Sequence, residues 1–81
     1  MFYVYAIISL INNDLYIGYS DDLKRRIVEH NTGHVSSTKS NQPWKLLYYE
    51  AYDNKTLALK QEKRLKMHAA KGELKTRLGI I

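Results

Sequence analysis

The sequence predicts an α+β fold, a three-stranded antiparallel sheet flanked by helices, with elements in the order β-β-α-β-α-α. Three observations carry that expectation. The chain opens on a run of strict two-residue alternation and returns after a short polar turn. A third alternating run lies mid-chain. Stretches with helical spacing follow the second and third runs.

In the first run, Phe2, Val4, Ala6, Ile8 and Leu10 alternate with Tyr3, Tyr5, Ile7 and Ser9, which gives one apolar face and one mixed face carrying two phenols. Asn12-Asn13-Asp14 is turn chemistry, because short polar side chains tolerate left-handed backbone angles. Leu15 to Tyr19 then returns as the second strand of a hairpin, with Tyr16 and Gly18 on one face and Leu15, Ile17 and Tyr19 on the other. Ser20, Asp21 or Asp22 can cap the helix that follows by accepting hydrogen bonds from its free amides. That helix runs to about Asn31, with Leu23 and Ile27 inward and with Arg26 and His30 sharing a bordering face one turn apart. Thr32 to Pro43 reads as a long polar loop with almost nothing to bury.

The third strand, Trp44 to Tyr52, alternates Trp44, Leu46, Tyr48 and Glu50 with Lys45, Leu47, Tyr49 and Ala51. Asp53 or Asn54 caps a longer helix extending to roughly Ala70, with an inward face of Leu57, Ala58, Gln61, Leu65 and Ala69. Gly72 breaks the pattern, and Glu73 to Leu78 is expected to form a short final helix.

Composition narrows the function. With 81 residues, 44% hydrophobic, the expectation is one domain spanning 1–81 with one core. The absence of cysteine excludes disulfide scaffolds, thiol nucleophiles and cysteine-based zinc sites. The apolar opening lacks a basic start and a small-residue cleavage site, and it is too short to cross a bilayer, so no membrane role and a cytoplasmic location are expected. A net charge of +5 favours polyanionic partners, most simply nucleic acid. Seven tyrosines against one phenylalanine suggest rings at a wet surface, where a hydroxyl finds a partner.

Several residues could carry chemistry. Glu62 is the one acid amid Lys55, Lys60, Lys63, Arg64, Lys66 and Lys71. It either pairs with Lys66 at i,i+4, worth about 0.2–0.5 kcal/mol, or offers a hard cation the single carboxylate that a magnesium site accepts alongside waters and a phosphate. Arg26 and His30 form either a solvated helix face or a phosphate clamp with an adjacent proton carrier. Tyr5 and Tyr16 are either a cross-strand aromatic pair or phenols that share a proton with a neighbour. Gly18 marks either a bulge or a place of close approach.

Taken together, Tyr3-Val4-Tyr5, Tyr16-Ile17-Gly18, Arg26, His30 and Glu62 resemble the GIY-YIG nuclease superfamily. The stretches Leu15 to Arg26, Glu29-His30-Asn31-Thr32-Gly33 and Pro43-Trp44-Lys45-Leu46 are similar to its stand-alone bacterial members, and the likeness covers essentially the whole chain. The resemblance implies a divalent-metal-dependent endonuclease hydrolysing DNA phosphodiesters. It implies Glu62 as ligand of Mg2+ or Mn2+, Tyr5 and Tyr16 orienting and deprotonating water, Arg26 stabilising the charged phosphorane, and His30 assisting proton transfer. Gly18, Tyr19, Arg25, Lys39 and Lys66 are the expected substrate contacts. DNA is the expected partner, RNA the other polyanion such contacts would take, and a partner protein the expected source of target choice. Cutting is expected to be broad or structure-selective, because phosphate contacts carry no base information. Two departures stand out: Tyr3 replaces the glycine of the name motif, and no asparagine occurs from Lys55 to Ile81. The alternative is a catalytically weak or inactive nucleic-acid-binding module on the same scaffold.

Overall fold

The computed structural model describes residues 1–80, with the side chain of His68 outside the description. Strands β1 (Phe2–Ser9) and β2 (Leu15–Ser20) form a hairpin, followed by helix α1 (Leu23–Asn31), a 3-10 turn at Lys39–Asn41, strand β3 (Trp44–Tyr52) and helices α2 (Lys55–Leu65) and α3 (His68–Arg77). The sheet order is β2-β1-β3, antiparallel throughout, so β1 is central. Membership of α+β with three strands and three helices is as the sequence predicts.

The alternation in β1 splits the molecule into two layers. Val4 and Ala6 join Leu15, Ile17, Ala58, Leu65 and Leu74 in one aliphatic cluster, so α2 and α3 cover this face. Tyr5 and Ile7 join Trp44 in a second cluster, closed by Tyr16, Leu23, Ile27 and Leu46, so α1 covers the opposite face. Helices α1 and α2 start where a side chain can satisfy a free amide. Asp22 Oδ1 accepts from Arg25 N at 3.1 Å, and Asn54 Oδ1 accepts from Leu57 N at 3.1 Å.

Three expectations need correction. The first concerns β3, which does not alternate without interruption. Ala6 pairs with Tyr48 and Ile7 with Leu46, which leaves Leu47 as an extra residue in the ladder. Trp44 and Leu46 therefore face α1, whereas Tyr48 packs with the α2/α3 layer. The second concerns α2, which ends at Leu65 and not near Ala70. The chain bends at Lys66 and Met67, and Gly72 lies inside α3. Leu57 and Ala69 are exposed, so the buried stripe of α2 is only Ala58 and Leu65.

The third concerns residues 32–43, which are not an unpacked loop. Val35 and Thr38 are buried, Ser9 Oγ donates to Asn41 O at 2.6 Å, and Trp44 Nε1 donates to Thr38 O at 2.9 Å. Asn31, the last residue of α1, holds the start of β3 from both sides. Its Nδ2 donates to Trp44 O at 3.0 Å, and its Oδ1 accepts from Trp44 N at 2.6 Å. The loop is thereby fastened to the end of β1, to α1 and to β3, which fixes the residues above the α1 face of the sheet.

Candidate active site

The α1 face of the hairpin gathers three rings. Tyr5 and Tyr16 lie 6.5 Å apart between centroids, and the His30 ring stands edge-on to both, at 5.7 and 5.1 Å. Trp44 closes one side, 6.3 Å from Tyr16. His30 comes from the last turn of α1 and is fully buried, not part of a solvated face.

Hydrogen bonds assign the histidine a tautomer. Tyr5 Oη lies 2.6 Å from His30 Nε2, and Thr38 Oγ1 lies 2.8 Å from His30 Nδ1. The Thr38 hydroxyl also donates to Val35 O at 3.3 Å, so it accepts from Nδ1–H. Nε2 is then bare and accepts the phenolic proton of Tyr5. Burial holds His30 down at about 4, and the Arg26 charge adds to that, so the ring is neutral at pH 7. Burial pushes the Tyr5 phenol up to about 12, with the charges of Tyr16 and Glu62 adding to the rise and Arg26 opposing it. Tyr5 is a proton donor to His30 in the resting protein.

Gly18 sits directly across from Tyr5 in the β1–β2 pairing. A Cβ at this position would collide with Tyr5 Cζ and Oη, and would crowd Tyr16 at 3.0 Å. The empty volume over Gly18 is therefore taken by the phenol that reaches His30. The glycine was visible in the sequence; the partner it makes room for comes only from the register.

Charged groups ring this cluster. Arg26 Nη1 donates to Glu29 Oε1 at 3.1 Å, an i,i+3 pair within α1, while its charge also acts on Tyr5. Glu62, on α2, has its side chain 21% exposed and lies 3.2 Å from Lys66 Nζ, the i,i+4 partner that spacing suggests. Lys66 Nζ stands 5.9 Å from the Tyr16 ring centroid, so the Glu62–Lys66 pair borders the phenols. Among the described residues no three His, Asp or Glu side chains converge to hold a metal. One carboxylate on a half-open edge is a donor set that suits a hard cation keeping its waters and taking phosphate oxygens; it does not suit zinc, which takes a nearly complete set of nitrogen and sulfur ligands.

The remaining expected contacts are spread more widely. Arg25 is exposed, with weak pairs to Asp21 at 3.4 Å and Glu29 at 3.8 Å. Lys39 is exposed at the start of the 3-10 turn, beside Thr38. Tyr19 lies on the other face of the sheet from Tyr16, with its ring stacked on Phe2 at 6.4 Å. Thr38 and Glu29 are the residues that sequence reasoning passed over. The i,i+3 spacing of Arg26 and Glu29 was a readable signal, whereas nothing local marks Thr38. A wider cleft of about 600 Å3, lined by Tyr3, Leu23, Ile27, Leu46 and Tyr49 among others, has none of the site's five polar residues in its walls.

A family model for the GIY-YIG catalytic domain matches residues 1–76. The chain belongs to the GIY-YIG family. It is 38% identical over 74 residues to the UPF0213 protein SSP2268 of Staphylococcus saprophyticus, covering 90% of this chain and 89% of that one. It is 36% identical over 67 residues to the UPF0213 protein HQ_3675A of Haloquadratum walsbyi, covering 82% and 74%. The fold is similar to the solution NMR structure of the UPF0213 protein BH0048 from Bacillus halodurans, with a TM-score of 0.57, 29% identity, and coverage of 94% of this chain and 84% of that one. GIY-YIG membership implies a nuclease that takes DNA, in a family that generally depends on a divalent metal. No helix among the described residues is long and apolar enough to cross a membrane.

Proposed function

We propose that this GIY-YIG chain is an endonuclease that hydrolyses DNA phosphodiester bonds with Mg2+ or Mn2+, with broad or structure-selective cutting. The observation that carries this reading is the Tyr5–His30–Thr38 chain of hydrogen bonds, bordered by Arg26, Tyr16 and Glu62. Glu62 would hold the ion, which when bound supplies Lewis-acid polarisation of the phosphate. Every other task falls to this chain's own groups. Arg26 offers a fork of donors to the phosphate oxygens and stabilises the charge that develops on them. Tyr16, whose ring lies beside the Glu62–Lys66 pair, would flank the attacking water.

Tyr5 is a weak base by itself, because its phenol holds a proton up to about pH 12. It accepts a proton from water only as its own proton passes to His30 Nε2. The neutral His30, with its other nitrogen held by Thr38, leaves Nε2 vacant. Burial makes it a weak acceptor, so it takes the phenolic proton only in concert with the proton that Tyr5 receives from water. A handover of this kind would give a buried histidine that never touches solvent a part in the reaction. Lys39, Lys66 and Arg25 would contact neighbouring phosphates, which give affinity and leave base sequence unread.

One observation favours the second reading, a binding module with weak or no catalysis. The ammonium of Lys66 already pairs with Glu62, so a cation must displace it. Cleavage decides between the two. Nicked, flapped, branched and single-stranded DNA, with matched RNA, should be incubated with the protein in Mg2+ or Mn2+, beside Glu62→Gln, Arg26→Ala and an EDTA control. Cutting that both substitutions and EDTA abolish is the expected result. Tight binding without cutting under every condition would leave only the binding module.

A further inference from the structure

A second concave site adjoins Arg26. The end of β2 and the first turns of α1 and α2 enclose a cleft of about 230 Å3, lined by Tyr19, Ser20, Asp21, Arg25, Arg26 and Lys55. Three of those six side chains are cationic and one is acidic. Arg25 pairs with Asp21 and Glu29 only at 3.4 and 3.8 Å, from an exposed position where such pairs contribute little and yield readily to a better anion. Lys55 makes no ion pair among the described residues. It is also the first residue of α2, where the aligned peptide dipoles add positive potential.

The other walls say what kind of anion fits. Ser20 Oγ is already used, accepting from Asp22 N at 2.9 Å and donating to Asp22 O at 3.0 Å. Tyr19 presents a ring braced against Phe2. Neither offers a spare amide or paired donor and acceptor with which to read a base edge, so recognition here is by charge and shape. Arg26 belongs to both places: it lines this cleft and its charge acts on Tyr5. Arg26 is therefore the side chain that joins the cleft to the phenols.

We infer that the cleft is a second phosphate subsite, in which Arg25 and Lys55 hold the phosphodiester directly flanking the scissile one on the same strand. The inference rests on the nuclease reading. It means that the site grips a stretch of backbone with a fixed direction, and that a substrate ending at the scissile phosphate on that side loses the grip. It also gives the chain a way to hold DNA with no contribution from base sequence.

Two measurements test this. In EDTA, where nothing is cut, affinity for a labelled single-stranded oligonucleotide is followed across a salt series. Lys55→Met and Arg25→Met are each expected to lower the salt slope by about 0.7, the loss of one phosphate contact, while Lys45→Met on β3 leaves it unchanged. Equal losses from Lys55→Met and Lys45→Met would overturn the subsite and leave only a diffuse basic surface. In Mg2+ or Mn2+, oligonucleotides carrying one uncharged methylphosphonate are cut and the products mapped. The wild type should skip the bond next to the neutral linkage on one side only, and Lys55→Met should lose that one-sidedness. Symmetric or absent skipping by the wild type would also overturn the proposal. Binding with the expected slopes but no cutting at all would sink the nuclease reading and still support the cleft as a phosphate site.

Discussion

The two faces of the sheet are held by different physics, although β1 contributes alternate residues to both. Towards α2 and α3, the buried residues Val4, Ala6, Leu15, Ile17, Ala58, Leu65 and Leu74 form an aliphatic layer that asks only for volume and exclusion of water. At its edge lies a part-buried cluster in which Glu50 accepts from Tyr48, Tyr52 and Gln61. Towards α1, the buried residues include Tyr5, His30, Thr38 and Ser9, and their order depends on each polar group finding its partner. Of the buried side-chain polar atoms among the described residues, only Gln42 Oε1 lacks one. The comparison teaches that the α2/α3 layer supplies stability on which the other layer can be spent on chemistry, and that damage to the two should look different.

Tyr5→Phe is the sharpest way to separate them. Cleavage should fall by about 10^2–10^4-fold, the usual range for a lost proton-transfer partner, while stability falls by only about 1–3 kcal/mol from the unpaired His30 nitrogen. Single-turnover rates beside a denaturant melt would check this. A variant that unfolds without losing rate per folded molecule would remove Tyr5 from the site.

Leu74→Ala is the converse. Leu74 is 1% exposed, so its truncation should cost about 2–5 kcal/mol by leaving a cavity in the aliphatic layer. The rate per folded molecule should stay near that of the parent, as measured below the variant's melting transition. A proportionate loss of rate would show that the two faces are coupled through β1.

The smallest effect concerns protons. His30 titrates near 4 when folded and near 6.5 as an ordinary histidine, so between these values the unfolded chain binds the extra proton and stability rises with pH. Acidification from pH 8 to pH 5 should therefore cost about 2 kcal/mol through His30 alone. Denaturant melts of the parent and of His30→Gln at both pH values would reveal it, as a pH dependence that is steeper in the parent. Equal slopes would mean that the histidine is not held in its neutral form.

Much of the candidate site's geometry was legible because its spacing is local. Alternation placed Tyr5 opposite in sense to Val4 and Ala6, and one helical turn placed Arg26 with His30. The Glu62–Lys66 pair was equally visible, since four residues on a helix make neighbours. What escaped depends on contacts between distant segments. The extra residue at Leu47 exists only in the pairing of β3 with β1, and it reverses which face Tyr48 serves. The reach of Thr38 to His30, and of Trp44 to Thr38, turns a stretch of polar residues into packed structure. The stop at Leu65 has no glycine or proline to announce it.

The burial of His30 has a kinetic meaning. Both ring nitrogens are engaged and none of the residue's surface meets solvent, so a proton delivered through Tyr5 has no second exit. It must leave by the route it entered. In the proposed reaction the imidazole would then work as a temporary berth with a single gangway, cleared only by reversing the handover, and each round would have to end with Tyr5 recovering the hydrogen it lent.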